Sequence, residues 1–387
     1  MDAKEVENKS RHIKPEAERM LWAVSAGICE FKGCCNKLYT HHVTKENINQ
    51  SEKAHIYAFS EGGKRFSRLL HTEKINDIEN LIIVCEECHK LIDSEDTDYS
   101  AYDLIAMKKE HEERVSRLVS IKPDLQSEVI IYNANIANKA IKISDYCANE
   151  AITPGYYPAR ALPINLSPDL RLYDNEDNYW NVMATDLERQ FALFEPRIRD
   201  KHISLFAIAP QPLLFKLGSL FNRNFIVDVH QSQGSIDMWH WETDKKTIYL
   251  ESQILPEVEP STHVVLTIEL TAHLSEKELR NTFGNGYIYR IITPVCDPHI
   301  IRSKADLNAV VEQYRNVLNI IRKSHAQNVN VLYVPIAPAS VSVEAGRQLM
   351  KGDPEITIYD RNYITKEWTK ALVVNGKEEE QCITKNS

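Results

Sequence analysis

No stretch of this 387-residue chain is apolar enough to cross a membrane, since no run approaches the ~18 residues a spanning helix needs. The N-terminal residues, Met1-Asp2-Ala3-Lys4-Glu5-Val6-Glu7-Asn8-Lys9, have no apolar core behind their charges, which excludes a secretory signal at this point. A cytoplasmic protein with no membrane partner is the expectation. There is no surplus of positive charge either. Lys and Arg number 46 against 55 Asp and Glu, and a net charge of −9 excludes a surface uniformly matched to a phosphate backbone. Any contact with nucleic acid must come from local patches. Cysteine is scarce, at eight residues, and Cys147, Cys296 and Cys382 are scattered, which marks them as buried or incidental. What the chain does have is ordinary globular composition, 43% hydrophobic and 26% charged, over a length suited to two or three domains.

The remaining cysteines are grouped. Cys29-x4-Cys34 and Cys85-x2-Cys88 form two short pairs, and in a reducing compartment such pairs hold zinc rather than a disulfide. Cys35 competes with Cys34, but Gly33 favours a tight turn ending at Cys34. Zinc here is structural and staples the segments that carry His55 and His89.

Between the pairs runs Ala54-His55-Ile56, then Gly62-Gly63, then Asn80-Leu81, and His89 follows Cys88 directly. Hydrolysis of a phosphodiester needs a base for water and a cation for the charge that develops on phosphate and leaving oxygen. His55 is the natural base, since imidazole is the side chain that changes charge nearest neutral pH. His89, at the start of the next helix, suits a catalytic divalent ion. Asn80 either ties the loop by side-chain hydrogen bonds or lends an oxygen to that ion. Lys64, Arg65 and Arg68 follow the Gly-Gly turn, where a backbone phosphate would approach; a solvated loop is the other reading of these charges.

By texture, residues 1–120 form a first domain, closed by a helix with apolar spacing at Leu104, Met107, His111, Val115 and Leu118. Residues 121–127 read as a linker around Pro123, and 128–387 as an α/β domain. Its strands are expected at Val129–Tyr132, Ile203–Ala209, Phe225–Val229, Val264–Leu270, Tyr287–Ile292, Val329–Ile336 and Ile356–Tyr359, with a helix through Leu307, Val310, Tyr314, Val317 and Ile321. The alternation implies a largely parallel sheet. A repeat runs through it: Ile208-Ala209-Pro210 and Ile336-Ala337-Pro338 each end a strand and open a helix, with a similar distance to the next strand, so two related halves are expected. In such sheets ligands lie beyond the carboxyl ends of the strands, where helix N-termini receive anions. Gln211, Lys216, Ser340 and Ser342 are placed to donate to a ligand with two or more phosphates, or are loop and cap residues. Trp239 and Trp241 read as two indoles on one strand face, stacking on a base or packed in the core.

The segment from Cys29 to Asp93 resembles the HNH family of ββα-metal endonucleases in its four-cysteine form. The resemblance implies an α+β, zinc-stapled fold with His55 as general base, Asn80 as loop organiser and His89 as ligand of a catalytic divalent ion, usually Mg2+. The chain departs from the family at Ala54, where many members carry a second metal ligand; Glu52, another carboxylate or water is then expected to complete the shell. His41-His42 is a competing doublet without a Gly-Gly at the right distance. The second domain resembles the SAVED domain, two fused Rossmann-like (CARF-like) halves, through Ile208-Ala-Pro-Gln-Pro-Leu-Leu, Gly218, Trp239-His-Trp241 and Ile336-Ala-Pro-Ala-Ser. Together the two resemble the HNH–SAVED effectors of bacterial cyclic-oligonucleotide antiphage signalling. That resemblance implies a homo-oligomer in which a cyclic di- or trinucleotide triggers non-specific degradation of double-stranded DNA. Two other expectations stand beside it: a constitutive restriction-type HNH nuclease whose C-terminal domain reads modified DNA, and a non-enzymatic zinc module coupled to a small-molecule sensor.

Overall fold

A computed structural model describes residues 13–41, 43–60, 62–67, 74–94, 99–137, 139–168, 178–234, 238–326 and 328–374. His42, Arg68 and Cys382 lie outside the described residues. The chain divides into two units, Met1–Lys122 and Pro123–Ser387.

In the first unit Pro15 opens helix α1 (Pro15–Val24), where its missing N–H costs nothing and its fixed φ suits the first turn. Strand β1 (Ser51–His55) pairs antiparallel with β2 (Leu81–Cys85), Ser51 opposite Cys85 and His55 opposite Leu81. Helix α2 (Glu86–Asp93) starts immediately, so the chain runs strand, strand, helix. Helix α3 (Ala101–Val119) opens on a capping box in which Ser100 and Asp103 satisfy each other's backbone amides. Its inner face is narrower than its spacing predicts: Leu104 and His111 are buried while Leu118 is exposed, and His111 Nε2 is bonded to the Ser25 carbonyl at 3.0 Å. The core holds Leu38, Ala54, Ile56, Ile82, Val84, Ile92 and Leu104 together with Cys29, Cys85 and Cys88.

The second unit begins as a strand earlier than expected. Strand β3 (Gln126–Asn133) takes Gln126 and the buried Ser127 out of the segment read as linker. Then follow helix α4 (Asp145–Ala151), the two-residue strands β4 (Tyr157–Pro158) and β5 (Ile164–Asn165), helix α5 (Tyr179–Ile198), strand β6 (His202–Ile208), helix α6 (Gln211–Leu220) and strand β7 (Ile226–His230). Their sheet has the order β4-β3-β6-β7 with β5 beside β3, and every pairing is parallel. The second half comprises strands β8 (Glu251–Leu255) and β9 (His263–Glu269), helix α7 (Glu276–Phe283), strand β10 (Ile288–Ile292), helix α8 (Lys304–Ser324), strand β11 (Asn330–Ile336), helix α9 (Ala339–Arg347) and strands β12 (Ile356–Arg361) and β13 (Trp368–Val374). Their order is β13-β12-β11-β9-β10-β8, parallel inside and antiparallel at both edges.

The repeat is real at the level of backbone contact. Gly218 follows Pro210 by eight residues and Gly346 follows Pro338 by eight. A Cβ on Gly218 would lie 1.9 Å from the Val343 carbonyl oxygen, and one on Gly346 2.0 Å from that of Phe215. Phe215 and Val343 occupy equivalent positions five residues after their prolines, so α6 and α9 pack reciprocally and touch where neither can carry a side chain. A methyl group at either glycine must part the helices. Gly218→Ala is therefore expected to destabilise the second unit by on the order of 1–3 kcal/mol or more, read as a fall in its melting temperature of about 2–4 °C per kcal/mol. An unchanged melting temperature would show that the contact is slack.

Candidate active site and metal centre

The four predicted thiolates converge. The sulfurs of Cys29, Cys34, Cys85 and Cys88 all lie within 4.8 Å of one another. Gly33, at φ +81, makes the turn that ends at Cys34, and the Cys34 amide closes it on the Phe31 carbonyl at 3.0 Å. Cys35 next to it is exposed and held by the Arg114 guanidinium, 3.6 Å from each of its outer nitrogens. The donor set fits zinc. The Cys85 amide donates to Cys29 Sγ at 3.3 Å, an interaction that favours thiolate. Burial pushes the Cys29 thiol up to about 12 and raises Cys88 as well; Cys85 is lowered, because against its burial it gathers hydrogen bonds from the Cys88 amide and the neighbouring thiols. Buried thiols of this kind give up their protons to a cation that compensates four charges at once.

His55 ends β1 half-buried, its Nε2 2.9 Å from Asn76 Oδ1 and its ring edge-on to Phe59. The segment that follows is clamped by Asn80. This buried side chain accepts from the Tyr57 amide at 2.8 Å and donates to the carbonyls of Tyr57 at 3.1 Å and Ile75 at 2.9 Å. Of the two roles expected for Asn80, the loop organiser is the one these hydrogen bonds serve, its oxygen accepting from the Tyr57 amide. His89 lies on α2, with Nδ1 3.9 Å from Asp93 Oδ2 one turn on.

Ala54 is buried, on the core side of β1. Strand alternation puts Glu52 on the same side of β1 as Ala54, with Lys53 and His55 on the other. The carboxylate beside His89 is Asp93.

The DNA-contact expectation is corrected at Arg65. Its side chain is turned inward: Nε donates to the Ile56 carbonyl at 2.9 Å, Nη1 to that of Ile92 at 3.1 Å, and Nη2 reaches Asp93 Oδ1 at 3.4 Å. Arg65 stitches the exit of the base strand to the end of α2. Lys64 is exposed and bonded to the Ser94 carbonyl. Of the glycine pair, Gly63 is the one sterics demand, since a Cβ there would lie 2.5 Å from that of Ala58. His41 accepts from the Thr44 amide at 3.1 Å and shapes its own turn.

In the second unit the predicted donors are brought to the junction between the halves, and several are already used there. Gln211 Oε1 accepts from Ser342 Oγ, and Gln211 Nε2 donates to the Ala337 carbonyl at 2.7 Å. Lys216 is paired with Glu188 of α5. Ser340 is buried; its amide donates to Gln231 Oε1 at 3.1 Å, while its hydroxyl, like Gln233 Oε1, is buried without a hydrogen-bond partner. Gln231 and Gln233 escaped the sequence reading, although the Gln-Ser-Gln run directly after the last residue of β7 is the polar signal of a strand's carboxyl end. The tryptophans do not share a strand face. Trp239 is buried edge-on to Phe206 at 5.1 Å, and Trp241 is half-buried against the core, both on irregular chain.

A zinc-knuckle ββα site on one unit and a two-halved α/β sheet pair on the other define a nuclease domain joined to a sensor-type domain. Residues 29–97 match the HNH endonuclease family, and residues 187–374 match SAVED, the SMODS-associated and fused to various effectors sensor domain. The chain thus carries an HNH endonuclease domain followed by a SAVED domain. No curated protein matches it. Among solved structures it is similar to the Acinetobacter baumannii Cap4 SAVED/CARF-domain receptor with the cyclic trinucleotide 2'3'3'-cAAA (13% identity, 73% of this chain and 63% of that one, TM-score 0.44). It is also similar to the Moraxella osloensis Cap4 receptor (12%, 72% and 61%, 0.42). The chain spans less than two thirds of these receptors, and at such TM-scores the likeness carries no functional weight. Among the described residues no helix is long and apolar enough to cross a membrane.

Proposed function

We propose that this chain is a cyclic-oligonucleotide-activated, metal-dependent endonuclease that degrades double-stranded DNA without sequence preference, as an effector of antiphage defence that acts by abortive infection. The observation that carries the reading is the pairing on one chain of an HNH endonuclease domain, which contains His55, Asn80 and His89, with a SAVED domain.

In the nuclease domain the zinc-bound cysteines hold β2 and α2 in register, and Asn80 fixes the backbone just after His55. His55 takes the proton of the attacking water. His89, with Asp93 one turn on, would hold a divalent ion such as Mg2+; when bound, that ion supplies the positive charge that stabilises the phosphate oxygens and the leaving oxygen. Lys64 remains a candidate contact for the DNA backbone. In the sensor domain, the N-termini of α6 and α9 follow Pro210 and Pro338 without side-chain caps. The unpaired Ser340 hydroxyl lies in the first turn of α9, and a buried polar group without a partner favours a ligand that supplies one. Two helix N-termini suit a ligand with two or three phosphates, hence a cyclic di- or trinucleotide. Ligand-driven assembly of several chains accounts for how a protein of net charge −9 gathers DNA, by summing local patches.

The substrate half of this reading is tested by incubating the full chain in Mg2+ and a panel of cyclic di- and trinucleotides with linear duplex DNA, single-stranded DNA and RNA. The expected result is a featureless smear from duplex DNA. A ladder of discrete fragments, or cleavage confined to DNA carrying modified bases, would replace it with the restriction-type reading.

A further inference from the structure

We propose that Asn76 is a positioning residue for His55, which sets its tautomer and leaves Nδ1 as the nitrogen that takes the proton. This rests on the reading of His55 as general base.

A side-chain amide oxygen can only accept, so the His55 Nε2 that lies 2.9 Å from Asn76 Oδ1 must carry the hydrogen. In a neutral imidazole the lone pair then belongs to Nδ1. A base in the other tautomer would turn an N–H toward the water it has to deprotonate.

The support behind Asn76 is itself built. The Asn80 amide that clamps Tyr57 also donates to the carbonyl of Ile75, the residue directly before Asn76. The Asp77 amide closes a turn on the Lys74 carbonyl at 3.1 Å, and the Asn80 amide closes another on Asp77 at 2.9 Å. One buried side chain therefore fixes both the backbone leaving His55 and the backbone presenting its partner.

An amide suits the task better than a carboxylate. It holds the ring without adding a negative charge that would stabilise imidazolium and weaken the base near neutral pH. The charged groups on β1 and the elements around it are Glu52 and Lys53, the latter paired with Glu18 of α1; Asp77 and Glu79 beside Asn76; and on α2 Glu87, the Glu86–Lys90 pair, His89 and Asp93, which Arg65 holds; among the described residues none of them makes an ion pair with His55.

The test uses the full chain with 15N-labelled histidine, its His55 resonances assigned by difference against His55→Gln. Long-range 1H–15N correlation is expected to show a protonated Nε2 and an unprotonated Nδ1 in the wild type, and a mixture of tautomers in Asn76→Ala. In duplex cleavage with Mg2+ and the cyclic-nucleotide panel, Asn76→Ala is expected to lose about 10–100-fold in rate, as do residues that orient a working side chain from behind. Asn76→Asp keeps the acceptor and hence the fold, and is expected to move the acid limb of the pH–rate profile to higher pH. A protonated Nδ1 in the wild type, or a tautomer and pH profile unmoved by both substitutions, would overturn the proposal while leaving the nuclease reading intact. Undiminished cleavage by His55→Ala would instead remove the base assignment beneath it.

Discussion

His55→Ala is expected to abolish nucleic-acid cleavage, with a fall in rate of about 10²–10⁴-fold, the contribution general-base catalysis makes. His55 is the last residue of β1, its main chain opposite Leu81, and its ring reaches out of the sheet to Asn76. Its neighbour Ala54 belongs to the core; His55 does not, so truncating it removes the base and little packing. The variant is expected to keep its zinc content, its melting profile and its affinity for cyclic nucleotides, all measured on the same preparation. Loss of activity accompanied by loss of zinc would point to a structural role for the ring.

The second large effect is loss of the metal. Three members of the first unit's buried core, Cys29, Cys85 and Cys88, belong to the cluster that fits a metal ion, and Cys34 packs against them. Without a cation the unit must bury three thiols at the place where β2 turns into α2, and a Cys88→Ser chain keeps only three of the four donors. Structural zinc supplies apparent folding free energy of about 10–16 kcal/mol in small zinc modules. Strong chelation, or Cys88→Ser, is accordingly expected to unfold the first unit and silence the nuclease. Zinc should restore the chelated protein, whereas Mg2+ alone should not. The second unit, with its own core, is expected to keep its melting transition. Full activity in thoroughly demetallated protein returned to Mg2+ would show that the tetrathiolate site is dispensable.

Much of the α/β unit was legible because its inner strands are buried on both faces and so read as unbroken β-branched runs. Each of the seven strands expected from sequence coincides with one of β3, β6, β7, β9, β10, β11 and β12. The edge strands β8 and β13 were missed for the converse reason: Glu251-Ser-Gln-Ile-Leu255 and Trp368-Thr-Lys-Ala-Leu-Val-Val374 face solvent along much of their length and carry polar residues there. The four-cysteine cluster was readable because metal binding demands residue type as well as spacing. Partnership was not readable. Gln211 and Ser342 looked like two free donors, and only the fold brings them together across 131 residues. Arg65 looked like a basic surface residue until its three carbonyl and carboxylate partners, on two separate stretches of chain, were placed around it. Asn76 is one loop asparagine among several, and nothing in its neighbours announces the imidazole it meets.

If cleavage by this chain is gated by a cyclic nucleotide, as proposed, the gate must be steep. Moving a two-state switch from about 1:99 to 99:1 needs a ligand that prefers the active state by about 10⁴-fold, so the response should be all but complete. Supercoiled plasmid is incubated with purified full-length protein and Mg2+, alone and with each cyclic di- and trinucleotide in turn, while light scattering follows the size of the particle. Plasmid is expected to stay intact without nucleotide and, with one or a few of them, to be degraded completely as a larger assembly forms. Equal degradation with and without every nucleotide would contradict the proposed gating.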